Sequence, residues 1–309
     1  MIYTLTTNPA IDLNVSAASV VPNTVSRTTG AVYTPNGKGL NVSFTLKHYG
    51  VEAPILGFFG GFTGAYIVDG AREKGCCVHP VWVDGTTRVN TFISLTDGSG
   101  DEYKFPNDGC EVGPDAQAQM LELIGQLEDL SCLVVSGSLS KGMDGSFYDE
   151  LIDVLEARGA EFVLDISHPH LAELIERRPL LIKPNDDELC EIFGLGVENE
   201  QEAVASLREL ISRGAKSVLL TMGGKGAYFC DGEGVWRTSA PKIEFLSSLC
   251  AGDATLAAFL SLWYGDRSAV EPALKRAMAT GGNVAASFGL GDFAQVPELE
   301  RTIEVERIA

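Results

Sequence analysis

The chain has 309 residues, 45% of them hydrophobic, enough to pack one large domain or two small ones. Its 42 acidic and 23 basic residues give a formal charge of −19, which argues against a nucleic-acid groove or an anionic membrane surface as partner. An anionic small molecule stays open only where the few Lys and Arg gather locally.

The N-terminal "MIYTLTTNPAID" has no basic leader and no long apolar stretch, and no later apolar run approaches the ~20 residues of a membrane span. The predicted strands are "YTLTT", "APILGFFGG", "CLVVSGS", "EFVLDIS", "LLIKPN" and "SVLLTMGG". They alternate with helical segments such as "DAQAQMLELIGQLEDL" and "GSFYDELIDVLEARG", and the tail from "SAVEPALKRAMATGG" onward is helical. This order predicts an α/β fold with a central, mostly parallel sheet covered by helices on both faces. Two regions break the rhythm, about 13–36 and about 78–108. There "VHPVWVDG", "TRVNTFISLTDG" and "DEYKFPND" read as strands without helices between them, expected to form a small second sheet. One domain over 1–309 is expected, with these strands as its lid.

The seven cysteines (76, 77, 110, 132, 190, 230 and 250) show no C-x-x-C pair and no zinc spacing, so reduced thiols and a cytoplasmic location are expected. The adjacent Cys76 and Cys77 and the "HPH" at 168–170 lack the spacing of a metal site. No P-loop occurs: "NGKGL" at 36–40 and "GGKGA" at 223–227 have no Ser or Thr after the Gly-Lys. "CAGDATLAAFL" is more specific. Small residues at Ala251 and Gly252 let backbone N–H groups at a helix start meet an anion, and Asp253 reads either as a dipole-favoured carboxylate or as a base beside that anion.

These motifs occur together and in order: "TTNPAID", "NGKGLN", "GFFGGFTG", "TRVN", "SGSL", "KPNDDEL", "TMGGKGA" and "CAGDA". In this the chain resembles the ribokinase-like sugar kinases of the phosphofructokinase-B type, within them the 1-phosphofructokinases first and the tagatose-6-phosphate kinases next. The resemblance implies the three-layer ribokinase-like fold and two ligands, ATP with Mg2+ and a sugar phosphate. It implies Asp253 as general base beside an Ala251–Gly252 anion hole, a division of labour that suits phosphoryl transfer, where alignment and charge stabilisation dominate. For the acceptor it implies Asp12, Arg27, Gly37, Lys38, Asn41, Arg88, Asn90 and Ser138, with glycine admitting the sugar close to the backbone and Arg27, Lys38 and Arg88 gathered at its phosphate. For the nucleotide it implies Lys183, Asn185, Thr221, Gly223, Gly226 and Asn283, the last beside the adenine. Asn185 and Glu188 would hold magnesium largely through water; without the resemblance they read as a helix start.

The implied reaction is ATP-dependent phosphorylation of a ketohexose phosphate, foremost fructose 1-phosphate to fructose 1,6-bisphosphate. Alternatives are tagatose 6-phosphate, an unphosphorylated sugar or a nucleoside as acceptor, and a sugar-phosphate sensor without turnover. A homodimer paired through the lid is also implied. The chain departs from the family pattern at Asn36, in place of the first glycine of Gly-Gly-Lys-Gly, and at Cys250, in place of the glycine before the anion hole. Ala254 stands where serine is usual, Ser140 and Lys141 where prolines are, and "EYKFPNDG" replaces a segment near the sugar. Cys250, just ahead of a helix, is expected to be either an activated thiol or a buried, inert one.

Overall fold

The computed structural model describes residues 1–309. A ten-stranded sheet runs in the spatial order Val305–Arg307, Val235–Thr238, Ala227–Cys230, Val218–Thr221, Leu181–Ile182, Glu161–Asp165, Cys132–Ser136, Ile2–Thr6, Ile55–Gly60, Val78–Val83. From Val78–Val83 across to Val218–Thr221 every pairing is parallel, and the remaining pairings are antiparallel. The apolar runs expected to be strands are therefore the parallel ones. They read as nearly continuous hydrophobic stretches because both of their faces are covered.

The alternation along each strand sends side chains to two cores. Leu133 and Val135 face the helices Pro114–Gln126, Ser146–Ala157 and Glu200–Arg213. Cys132 and Val134 face the other layer, packed against Ala251–Trp263 and Val270–Ala285. This is the three-layer, ribokinase-like architecture. No helix is long and apolar enough to cross a membrane.

The second sheet has four strands, in the order Thr28–Asn36, Ala10–Ala17, Arg88–Leu95, Glu102–Phe105. Its make-up corrects the expected lid at two points. The sheet takes in Ala10–Asp12, ahead of the predicted start at 13. "VHPVWV" is not part of it: Val78–Val83 is the edge of the large sheet, parallel to Ile55–Gly60. The reason is the helix Gly61–Glu73, which makes Ile55–Val83 a strand-helix-strand crossover and returns the chain parallel to the strand it left. Lid strands Ala10–Ala17 and Arg88–Leu95 also pair in parallel, with Asp12 opposite Asn90.

The turn Gly223–Gly226 shows how tightly backbone packs at the carboxyl edge. Gly226 has φ 99, and a Cβ there would run into the carbonyl oxygen of Thr238 on the neighbouring strand. Gly226→Ala is therefore expected to cost roughly 2–4 kcal/mol and to lower the Tm by roughly 5 °C or more. A thermal melt within 1 °C of the parent, about the reproducibility of such a scan, would remove this turn from the stability argument.

Candidate active site

The carboxyl ends of the parallel strands and the near edge of the lid enclose a cavity of about 1200 Å³. In an open α/β sheet this edge is where ligands bind, and the volume exceeds what one small ligand needs, leaving room for two. Of the residues singled out in the sequence, Asp12, Gly37, Lys38, Asn41, Arg88, Asn90, Lys183, Asn185, Glu188, Thr221, Gly223, Ala251, Gly252 and Asp253 line it.

Asp253 lies in the first turn of Ala251–Trp263, buried, with Oδ2 accepting a hydrogen bond from Asn41 Nδ2 at 2.8 Å. Burial raises its pKa to about 6; the nearby Asp165 carboxylate adds to the rise, while Lys38, Asn41 and Lys183 oppose it. A carboxyl group tuned upward in this way is ionised at neutral pH yet basic enough to take a proton. The expected donors, Ala251 and Gly252, differ in what their N–H groups already do. Ala251 N–H is already committed to Ser248 O at 3.3 Å, so the free donors at this helix start are the amides of Gly252 and Asp253.

Beside this helix start is a charged cluster whose two lysines are expected in the site from the sequence and whose aspartate is not. Lys183 Nζ lies 3.0 Å from Asp165 Oδ1, and Lys38 Nζ 3.7 Å from the same oxygen. A Cβ on Gly252 would sit 3.5 Å from Lys183 Nζ, so the ammonium is beside the helix start. Asp165 and Lys183 are only 1% and 5% exposed, whereas Lys38 is 37% exposed. One buried carboxylate thus holds two cations, one of them beside the helix start. The two lysines hold Asp165 below the ordinary carboxylate range although burial pushes it up, and Asp165 raises Lys38. The available signal for Asp165 was its place at the end of "VLD", a predicted parallel strand.

At the lid side of the cavity, Asp12 is buried with both oxygens engaged: Oδ1 accepts from Asn90 Nδ2 at 2.9 Å and Oδ2 from Asn36 Nδ2. Burial raises its pKa against the opposing pull of those amides and Arg88. Arg88 donates to Asn8 O at 2.9 Å and Asn107 O at 3.4 Å, which fixes the guanidinium at the cavity wall. Gly37 lines the cavity and is also required by packing. At φ 149, a Cβ there would come within 2.7 Å of Thr6 Cγ2, so the chain's own packing demands glycine.

Four of the named residues do not line the cavity. Arg27 is exposed just before Thr28–Asn36, at the end of the lid away from Asn36, and nine residues of strand put it ~30 Å off. The three expected cations therefore do not gather within one chain. Ser138 is exposed at the rim, where its Oγ lies 3.5 Å from Asn8 Nδ2. Gly226 shapes its turn from behind. Asn283 is buried on the inner side of Val270–Ala285, where Oδ1 accepts from Gln295 N at 3.0 Å, while Gly281, Gly282 and Ala285 line the cavity instead.

Asn185 and Glu188 form a reciprocal cap on Asp186–Phe193. Asn185 Oδ1 accepts from Glu188 N at 2.7 Å, and Glu188 Oε2 accepts from Asn185 N at 3.0 Å. Both residues line the cavity; Glu188 Oε1 also accepts from Ser167 Oγ, so each side-chain oxygen of this donor set already takes one hydrogen bond and keeps a further lone pair. Such a set fits a hard cation held through water. Cys250 is buried, and burial with Asp253 beside it pushes the thiol well above its ordinary range, the inert alternative.

A family model described as pfkB family carbohydrate kinase matches residues 5–296. The chain is 47% identical over 308 residues to the D-tagatose-1-phosphate kinase of Klebsiella oxytoca, covering 100% of both chains. It is 32% identical over 308 residues to the 1-phosphofructokinase of Bacillus subtilis, again over 100% of both. Phosphofructokinase-2 from Escherichia coli, solved in complex with substrates and products, superposes with a TM-score of 0.90 at 26% identity, over 97% of this chain and 98% of that one.

Proposed function

The chain belongs to the pfkB family of carbohydrate kinases, and from that premise we propose that it phosphorylates the 6-hydroxyl of a ketohexose 1-phosphate from ATP, with tagatose 1-phosphate as acceptor. The observation that carries the reaction type is the buried Asp253 carboxylate beside free helix amides, opposite Lys183 and Lys38. The 47% identity to a tagatose-1-phosphate kinase, against 32% to a 1-phosphofructokinase, favours tagatose 1-phosphate over fructose 1-phosphate, which is the second reading.

In this reading the acceptor's 6-oxygen attacks the γ-phosphorus as its proton passes to Asp253, and the bond from phosphorus to the β–γ bridging oxygen breaks to leave ADP. The amides of Gly252 and Asp253 and the Lys183 ammonium receive the charge on the transferred group. Asp165 holds both lysines in place. Asp12 orients the sugar through its hydroxyls and Arg88 takes the distal phosphate. Thr221 and Gly223 border the nucleotide. Magnesium, when bound, neutralises phosphate charge, and Asn185 and Glu188 would hold it through water. A cytoplasmic location agrees with the seven unpaired thiols.

A coupled assay for ADP with tagatose 1-phosphate, fructose 1-phosphate, tagatose 6-phosphate, fructose 6-phosphate and free fructose tests the reading. Preference for a 6-phosphate, or for the free sugar, overturns the acceptor; no turnover of any overturns the kinase.

The lid supports a dimer. Tyr33 and Phe105 are each about half exposed on one face of the lid, and Tyr103 is 39% exposed with its ring stacked on Phe105. Paired lids would cover this apolar surface, and a twofold pairing would bring the remote Arg27 of one chain toward the other chain's cavity. Light scattering at micromolar concentration is expected to give twice the chain mass. A monomer would rule out the shared lid and with it any role for Arg27 at the acceptor.

A further inference from the structure

Between the two functional carboxylates runs a continuous path of side-chain hydrogen bonds that phosphoryl transfer itself does not require. Asn36 Nδ2 donates to Asp12 Oδ2. Asn36 Oδ1 accepts from Asn41 Nδ2 at 2.9 Å, and Asn41 Nδ2 donates in turn to Asp253 Oδ2 at 2.8 Å. Cys250 Sγ fills the angle between the two amides, 3.5 Å from Asn36 Nδ2 and 3.3 Å from Asn41 Nδ2. Asn36 and Cys250 both line the cavity, and both replace glycines of the family pattern.

The two replacements are 214 positions apart in the chain, yet they touch. With glycine at 36 the path from Asp12 to Asn41 has no middle member, and with glycine at 250 the sulfur-filled angle is open. Cys250 holds its place at φ 63, a left-handed backbone that disfavours any residue with a Cβ, so the thiol is present against its own conformational preference.

We propose that Asn36 and Cys250 act as one stereochemical gauge, reading the configuration of the acceptor hydroxyl two carbons from the reacting one. The inference rests on the ketohexose 1-phosphate reading above. The reacting hydroxyl lies against Asp253, and Asp12 takes hydroxyls farther along the sugar. Asn36 stands between them, level with the intervening carbons. When the 6-hydroxyl reacts, the carbon two along is C4, the centre at which tagatose and fructose differ. One configuration directs its hydroxyl to the Asn36 amide, whose N–H beyond the bond to Asp12 otherwise meets only the weak acceptor Cys250 Sγ at 3.5 Å. The other directs it onto the Cys250 sulfur, a bulky and weak hydrogen-bonding partner, and loses the bond. A polar site that leaves a substrate hydroxyl unpaired discriminates far better than shape alone.

The test is steady-state kinetics of the full-length enzyme on tagatose 1-phosphate and fructose 1-phosphate, for the parent, Asn36→Gly, Cys250→Gly and the double variant. The parent is expected to separate the epimers. Each single variant should shrink the ratio of their kcat/KM values at least ~10-fold, with KM for ATP changed less than ~2-fold. The double variant should lose about as much as either single one, because the residues work as a unit. Cys250→Gly suits the left-handed backbone and keeps the test alive if Asn36→Gly does not fold, folding being checked by the rise in Tm with ATP. An unchanged epimer ratio in a folded variant overturns the gauge. A parent that turns over both epimers equally also overturns it and leaves the ketohexose 1-phosphate reading standing. A parent inactive on both 1-phosphates overturns that reading and the gauge together.

Discussion

Asp253→Asn is expected to lower kcat by at least ~10²-fold while ATP still raises the Tm of the variant, since the substitution removes the proton acceptor and leaves the amides of the helix start in place. The parent's kcat should fall as pH drops below about 6, where the buried carboxyl group takes up its proton, and the variant's residual activity should lose that inflection. The effect on stability runs the other way. The folded-state pKa is about 6 against an ordinary 3.8, so the folded chain binds this proton more tightly than the unfolded chain does. Stability from this group is present below pH ~4 and is lost as pH rises through about 6. At neutral pH the variant should therefore melt higher than the parent. A variant with near-parental kcat takes Asp253 out of the chemistry, and one that melts lower contradicts the cost of burying its charge.

Arg88→Ala should reduce kcat/KM for the phosphorylated acceptor roughly 30- to 150-fold, the equivalent of losing a charge-assisted contact of ~2–3 kcal/mol, with KM for ATP little changed. Lysine should rescue only part of the loss, because it has no planar fork to share between the backbone carbonyls of Asn8 and Asn107 and a phosphate. The decisive comparison is a ketohexose 1-phosphate beside the free ketohexose. Equal losses on both assign Arg88 to holding the lid on the body, through Asn8, and no loss on either leaves it without a ligand.

The central sheet was legible because its strands are buried on both faces and their apolar runs are nearly unbroken, "CLVVS" and "EFVLD" being the plainest. The helix-start turn was legible because Ala-Gly-Asp leaves small residues and backbone N–H groups where an anion can approach, whereas Gly-Lys-Gly was singled out only through its resemblance to a family motif. What was not legible depended on partners distant in sequence. Asp165 is a single carboxylate at the end of a strand, and its significance comes from Lys183 one strand away and Lys38 on another helix. Asn283 carries a polar group on a helix whose cavity-facing side is marked only by glycine and alanine, so the more chemical residue was the wrong one to follow. "VHPVWV" has the alternation of a lid strand, but the crossover before it decided its sheet. Arg27 was placed by type and charge, and neither reports how far a strand carries a residue from its starting point.

The cluster of one aspartate and two lysines also has a long-range consequence. Lys38 and Lys183 are balanced by Asp165 and the ionised Asp253, so this part of the site carries no net charge of its own inside a molecule whose total is −19. An approaching anion, such as the proposed sugar phosphate or nucleotide, therefore meets the repulsion of the whole molecule at a distance and the individual lysines only at contact range. The two fields do not fade together. At physiological ionic strength the Debye length is about 8 Å, so dissolved salt weakens the outer repulsion first and reaches the enclosed lysines last. Salt therefore removes a barrier to encounter for this enzyme at concentrations where it would weaken capture by an exposed basic surface.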